Sequence, residues 1–314
     1  MNHWIFWCIA ICFSIVMVTG GSPSAEKPVI VNVLVDHDIP ASNSQNIWAI
    51  FGIFGSSNWT LILTENAATI DRNTIGMLTP SKVMELGISG NHSNEKMSTE
   101  SYTEQKTELE RAKERVELCK ICGINEVIVK GYMPQLYDQN EDTYKALDNL
   151  GIVYDAGFKA GILYAPGHEN DVWPYKVENH NFYAVPISTY TLSGEKVTLD
   201  DREIKDKGLS PSKWYDLLVG KFDEVSGKDE PMIVSLHTSI SGTGDYLNTL
   251  KQFFNYATSN NARFVNTSVL VSMSIKGVHS AMPFSSVKSG CAECDAMKNN
   301  TNITANITTD VIKV

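Results

Sequence analysis

Short β-branched apolar runs alternate with stretches of helical periodicity from Lys27 to about Ser274. Val29–Val35 reads V-I-V-N-V-L-V, the nearly unbroken apolar run expected of a strand covered on both faces. It ends in Asp36-His37-Asp38. Trp59–Thr64 (W-T-L-I-L-T), Asn125–Lys130 (N-E-V-I-V-K), Phe182–Ser188 (F-Y-A-V-P-I-S) and Met232–His237 (M-I-V-S-L-H) predict further strands. Helices are predicted around Ile47–Phe54, over a short stretch at Ser81–Leu86, and over Tyr246–Ser259. The strongest helix signal is the capping box Ser101-Tyr102-Thr103-Glu104. Its pattern runs to about Cys122, with Leu109, Ala112, Val116 and Leu118 on the buried face. Asp142–Leu150 predicts another helix, stopped by Gly151. Apolar strands that alternate with helices imply parallel strands and an α/β barrel. Gly157–Asn181 and Thr189–Ser210 are then loops over one end of it.

The two ends of the chain read differently. Trp4–Val18 is nearly all apolar and is followed by small residues from Thr19 to Ala25, so 1–25 is expected to be a signal peptide or an uncleaved N-terminal anchor. Beyond it no apolar run is long enough to span a bilayer. The barrel is expected over 28–275. The remainder, 276–314, lacks periodicity and reads as an Asn/Thr-rich tail or linker. N-x-[ST] sequons stand at Asn58, Asn91, Asn266, Asn299, Asn302 and Asn306, the last three clustered in that tail. Together these features predict a secreted or cell-surface glycoprotein, touching membrane only through an N-terminal anchor. Cys119-x-x-Cys122 and Cys291-x-x-Cys294 could form disulfides that tie the tail to the barrel, stay as free thiols, or hold zinc as a four-thiolate set.

Composition narrows the function. With 26 basic and 36 acidic side chains in 314 residues the net charge is −10, and no basic stripe appears, so a nucleic-acid partner is not expected. Neither a G-x-G-x-x-G after a strand nor a P-loop is present. Oligomeric state is not readable from the sequence.

The chemistry stands at strand ends, where an α/β barrel keeps its site. Those residues are Asp36, His37, Asp38, His92, Pro134, Tyr137 and His237. Carboxylate and neutral imidazole suit a divalent metal such as zinc, which Asp38 and His92 could ligate. Asp36 could then act as the base on a metal-bound water, and His237 as the acid for the leaving group.

These residues fall in a family order. L-V-D-H-D matches a T-F-D-D strand end, and Glu85-Leu86-Gly87 matches the E-I-G phrase before an H-x-x-x-H metal motif. T-E-Q-K-T-E-L-E-R-A-K matches the helix after it, and Met133-Pro134-Gln135-Leu136-Tyr137 an R-P-P-Y phrase. N-E-D-T-Y-K-A-L-D-N-L-G-I-V-Y-D matches the next helix and strand, and Ser235-Leu236-His237 the closing L-x-H. In these motifs the chain resembles the NodB-like polysaccharide deacetylases, carbohydrate esterase family four, over about 28–267. The resemblance implies a distorted (β/α)7 barrel and metal-assisted removal of acetyl from an acetylated polysaccharide or surface glycan. It places the base at Asp36, metal ligands at Asp38 and His92, the acid at His237, and substrate contacts at Pro134 and Tyr137. The chain departs from the pattern in three places. Ser89 stands where the first metal histidine belongs, His92 aligns with the second only after a one-residue deletion, and Met133 replaces the arginine. His37, His168 or His180 could substitute for the missing ligand. Trp173 and Tyr175, in P-G-H-E-N-D-V-W-P-Y, either stack on sugar rings or anchor a long loop. Two functions follow: an exported deacetylase, or a degenerate carbohydrate-binding or structural module on the same barrel.

Overall fold

The first apolar run is a strand, β1 (Val29–His37), in the computed structural model, which describes residues 27–38, 44–70, 72–78, 84–118 and 128–277. Every residue of β1 is buried. After it come α1 (Gln45–Phe54), β2 (Trp59–Leu63), α2 (Glu65–Ile70), α3 (Arg72–Leu78) and β3 (Met84–Ile88). The middle of the chain holds α4 (Tyr102–Glu117), β4 (Gly131–Tyr132), α5 (Glu141–Leu150), β5 (Tyr154–Lys159), β6 (Tyr175–Lys176) and β7 (Tyr183–Ile187). The hairpin β8 (Thr189–Leu192) and β9 (Glu195–Thr198) leads into α6 (Asp201–Asp206) and α7 (Pro211–Val225). The last elements are β10 (Met232–His237), α8 (Thr238–Ser241), α9 (Gly244–Ser259), β11 (Ala262–Val265) and α10 (Thr267–Ile275).

Seven strands lie in the order β10-β1-β2-β3-β4-β5-β7, all parallel. β6 adds antiparallel to β7, and β11 pairs with the start of β1. Ser188 N–H donates to Ile233 C=O at 3.0 Å and Ser235 N–H to Leu199 C=O at 2.9 Å, stitching the chain beyond β7 back to β10. The sheet therefore curls into the distorted (β/α)7 barrel expected. Its helices pack outside, α4 against α2 and α5, and α7 against α9.

Local chemistry sets the helix ends. Ser101 and Glu104 form the capping box reciprocally, and Gly151 ends α5 in the left-handed conformation at φ 66°. Asn266, one of the sequons, caps α10 by accepting from Val269 N–H at 3.0 Å.

Several expectations need correction. Ser81–Leu86 is not a helix: the part described from Met84 onward is the parallel strand β3, between β2 and β4. Met, Glu and Leu favour helices locally, but pairing on both edges of a buried sheet outweighs that preference. Of the third strand expected at Asn125–Lys130, residues 125–127 lie outside the described residues. Residues 128–130 are not in a strand: the strand is Gly131–Tyr132, although Lys130 C=O already accepts Val153 N–H at 2.7 Å. Gly131 is required there, since a Cβ would lie 1.9 Å from the Tyr154 ring. Leu118 is 53% exposed at the end of α4 and belongs to no core face. Thr189–Ser210 is a hairpin plus α6. The N-terminal segment 1–25, all four body cysteines, Asn299, Asn302 and Asn306, and the tail from 278 lie outside the described residues.

Candidate active site at the strand ends

Asp36 and His237 are Cα partners in the β1–β10 ladder, so their side chains leave the sheet on the same face. Asp36 Oδ2 lies 3.7 Å from His237 Nε2, and both residues are 3% exposed. On its other side His237 Nδ1 makes a 2.5 Å bond with Asp201 Oδ1. Asp201 also accepts the His237 backbone N–H and the Ser241 hydroxyl, which fixes the imidazole. Burial disfavours the imidazolium, but the Asp200 and Asp201 carboxylates outweigh it and push the His237 pKa to about 9. With that pKa the ring carries a proton on both nitrogens at neutral pH, Nδ1 in the bond to Asp201 and Nε2 facing Asp36.

Asp36 is held differently. Its Oδ2 accepts from Gln135 Nε2 at 2.8 Å, while its buried Oδ1 has no hydrogen-bond partner. Burial raises its pKa; His237 opposes this and the nearby Asp38 adds to it. Asp200 caps α6 by accepting from Arg202 N–H and Glu203 N–H, and takes the Tyr137 hydroxyl at 2.7 Å. Burial works against the Asp200 carboxylate, but His237 and the Tyr137 hydrogen bond hold its pKa below the ordinary value.

These groups open into a cavity of about 440 Å³. Pro134, Leu136, Tyr137, Lys159 and Arg202 form much of its wall. Leu136 and Tyr137 both have left-handed φ, 56° and 57°, a conformation that strains non-glycine residues. Such strain persists only where the surroundings enforce it, and here the Tyr137–Asp200 bond does so. Lys159 Nζ sits 4.0 Å over the Tyr137 ring and 3.0 Å from Glu203.

The residues named as metal ligands stand elsewhere. Asp38 and His92 line a second cavity, of about 400 Å³, with His37. The His92 side chain is 55% exposed, and its Nδ1 lies 3.1 Å from Ser93 C=O. His37 remains inside β1, fully buried, with Nδ1 3.1 Å from the Thr238 hydroxyl. Asp38 accepts from Arg202 Nη2 at 3.0 Å, from Ser239 N–H and hydroxyl, and from the Thr238 hydroxyl. Burial opposes its ionisation, but His237, Ser239 and Arg202 hold its pKa low. Ser89, 1% exposed, donates to Met133 C=O and accepts from Gln135 Nε2, both at 2.7 Å. Asp38, Ser89 and His92 thus do not present a donor set that fits a divalent metal. Asp200, Asp201 and His237 bring three possible ligand atoms within 4.8 Å, and by residue type could hold one. As they stand, each is hydrogen-bonded within the protein.

Pro134 and Tyr137 line the main cavity; Trp173 and Tyr175 do not. Trp173 Nε1–H donates to Asp229 C=O at 2.8 Å. Tyr175 is 7% exposed, stacks on His168 at 3.9 Å and accepts Ala165 N–H, which anchors the loop. His168 pairs with Asp171 at 2.6 Å and His180 with Asp148 at 2.8 Å.

Sequence reasoning missed Asp200, Asp201, Arg202, Gln135 and Lys159. L-D-D-R is itself a strand-end carboxylate pair, the same kind of signal as V-D-H-D, hidden in an interval read as loop.

Sequence comparison finds no matching family model and no matching curated protein. The architecture does match solved structures. A Mycobacterium smegmatis protein assigned as a polysaccharide deacetylase superposes with TM-score 0.61 at 15% identity, covering 81% of this chain and 92% of that one. The fold is that of the polysaccharide deacetylases. A Pseudomonas aeruginosa protein assigned to the same activity gives TM-score 0.62 at 13% identity, over 78% of this chain and 90% of that one. A pseudoenzyme of carbohydrate esterase family four from Bacillus anthracis shares the deacetylase fold at TM-score 0.50 and 13% identity, over 78% and 66% of the two chains.

Proposed function

We propose that this chain is an exported hydrolase that cleaves the carbon–nitrogen bond of an acylated amine, with N-acetylated glycan as its substrate class. The observation that carries the reading is the buried Asp36–His237 pair, in which an imidazolium faces a carboxylate that keeps one oxygen unpaired. Asp36 takes a proton from water as the water oxygen attacks the acyl carbon. His237 Nε2 gives its proton to the nitrogen as the C–N bond breaks, and the Asp36 proton then returns to His237. The products are a carboxylic acid and a free amine. General acid–base catalysis of this kind contributes about 10²–10⁴-fold. Arg202 and Lys159, in the wall of the cavity, are the cations available to the acyl oxygen. Export is supported by the apolar N-terminal segment and the sequons, and the substrate class by what the solved relatives are assigned to do.

Acetate release from N-acetylglucosamine oligomers tests it. Turnover should fall at least about 100-fold in Asp36→Asn and in His237→Ala. A second reading, a glycan-binding module without turnover, is favoured by the engagement of Asp38 in protein hydrogen bonds. Oligomer binding by the wild type with no acetate above blank would select it.

A further inference from the structure

The fold family implies a metal at Asp38, and the surroundings of Asp38 point elsewhere. We propose that the Arg202 guanidinium has taken the place of that cation, so that Asp38 is a positioning residue for Arg202 and the family metal position is closed. The proposal shares Arg202 with the cavity of the hydrolase reading but does not depend on turnover.

Lone-pair accounting comes first. An ionised carboxylate offers about four acceptor directions. Asp38 Oδ1 receives Ser239 N–H at 2.9 Å and the Thr238 hydroxyl at 3.1 Å. Its Oδ2 receives Arg202 Nη2 at 3.0 Å and the Ser239 hydroxyl. All four directions are used, on a side chain 6% exposed. A metal would have to displace the guanidinium or one of the α8 donors, leaving a buried donor unsatisfied.

The neighbouring positions are filled by protein as well. One amide nitrogen, Gln135 Nε2, donates to both Asp36 Oδ2 and Ser89 Oγ, at 2.8 and 2.7 Å. It therefore bridges the base and the position where the family resemblance puts the first histidine. Gln135 is 4% exposed, and its own Oε1 accepts Asn94 N–H at 3.2 Å. His92 lies on the solvent side, bonded to the neighbouring Ser93 carbonyl.

Charge completes the argument. Asp36, Asp38, Asp200 and Asp201 gather around Arg202 and His237, and such a group of carboxylates needs positive charge nearby. A guanidinium provides it permanently, in a planar fork suited to carboxylates. Arg202 sits at the start of α6, one residue after the Asp200–Asp201 pair, so the turn that orients His237 also delivers the cation.

The test uses the full chain, its Asp38→Asn and Arg202→Met variants, and the double variant. Removing one member of a buried ion pair strands the other, whereas removing both is tolerated far better. The double variant should therefore melt at or above the worse single variant, and zinc content after dialysis against zinc should be the same in wild type and double variant. Additive losses of melting temperature would overturn the proposal. So would one zinc per wild-type chain that disappears in the double variant. Neither readout measures acetate release, so the proposal can fail while the hydrolase reading stands, and the reverse.

Discussion

His237 Nε2 stands 3.7 Å from Asp36 Oδ2 because the two residues are ladder partners on adjacent parallel strands, not because of any spacing along the chain. That register sets an acid and a base side by side, and α6 then supplies the carboxylates that keep the acid protonated.

Asp201→Asn should separate positioning from structure. Without the Asp201 charge the His237 pKa drops from about 9 toward its ordinary 6.5. The alkaline limb of the acetate-release profile, which needs protonated His237, should then move to lower pH. An unchanged limb with uniformly lower activity would mean that Asp201 acts only in folding.

The same group predicts a pH dependence of stability. The folded pKa of His237 is raised, so its contribution is complete below about 6.5 and is lost as pH rises through about 9. Melting temperature should fall over that window in wild type and fall less in His237→Gln.

Asp155 predicts a loss of stability in the same direction, in a lower pH window. It is fully buried, its Oδ2 has no partner, and burial raises its pKa from 3.8 to about 7. The folded chain keeps a proton that the unfolded chain releases, so stability declines as pH rises from about 4 to 7, by about 4 kcal/mol at most. Asp155→Asn should be nearly neutral at pH 4 and stabilising at pH 8, as measured by urea unfolding at both values.

Gly131→Ala should disturb the site from behind the sheet. The added methyl meets the Tyr154 ring, whose hydroxyl donates to Glu85, so β4 or β5 must shift. Overpacking of this kind costs about 1–3 kcal/mol. Since β4 leads directly into Met133–Tyr137, acetate release should fall together with melting temperature.

Ser89→His restores the residue the family alignment asks for, yet zinc binding should not follow. Asp38 stays engaged by Arg202, and the new ring must displace the Gln135 amide from a fully packed position. Isothermal titration should give the same zinc isotherm as wild type, with a lower melting temperature. Tight zinc binding in the variant would show that the loop after β3 is free to rearrange.

Much of this protein is written locally. Val29–Val35 and Met232–His237 declare themselves as strands because a strand buried on both faces is a nearly continuous apolar run. Ser101–Glu104 and Gly151 declare helix ends because capping involves neighbours in the chain. The strand-end residues Asp36 and His237 were legible for the same reason. What the tertiary structure alone decided was partnership. β3 was concealed because Met84–Ile88 favours a helix until two strands pair with it. Asp201, Arg202 and Gln135 lie far from Asp36 in sequence, and only closure of the sheet sets them on His237, Asp38 and Ser89. For Tyr175 the sequence leaves a sugar platform and a loop anchor open, and packing against His168 decides for the anchor. Periodicity and capping act over a few residues and survive in one dimension. A carboxylate's partner is fixed by strand register and loop path, which exist only once the chain has folded.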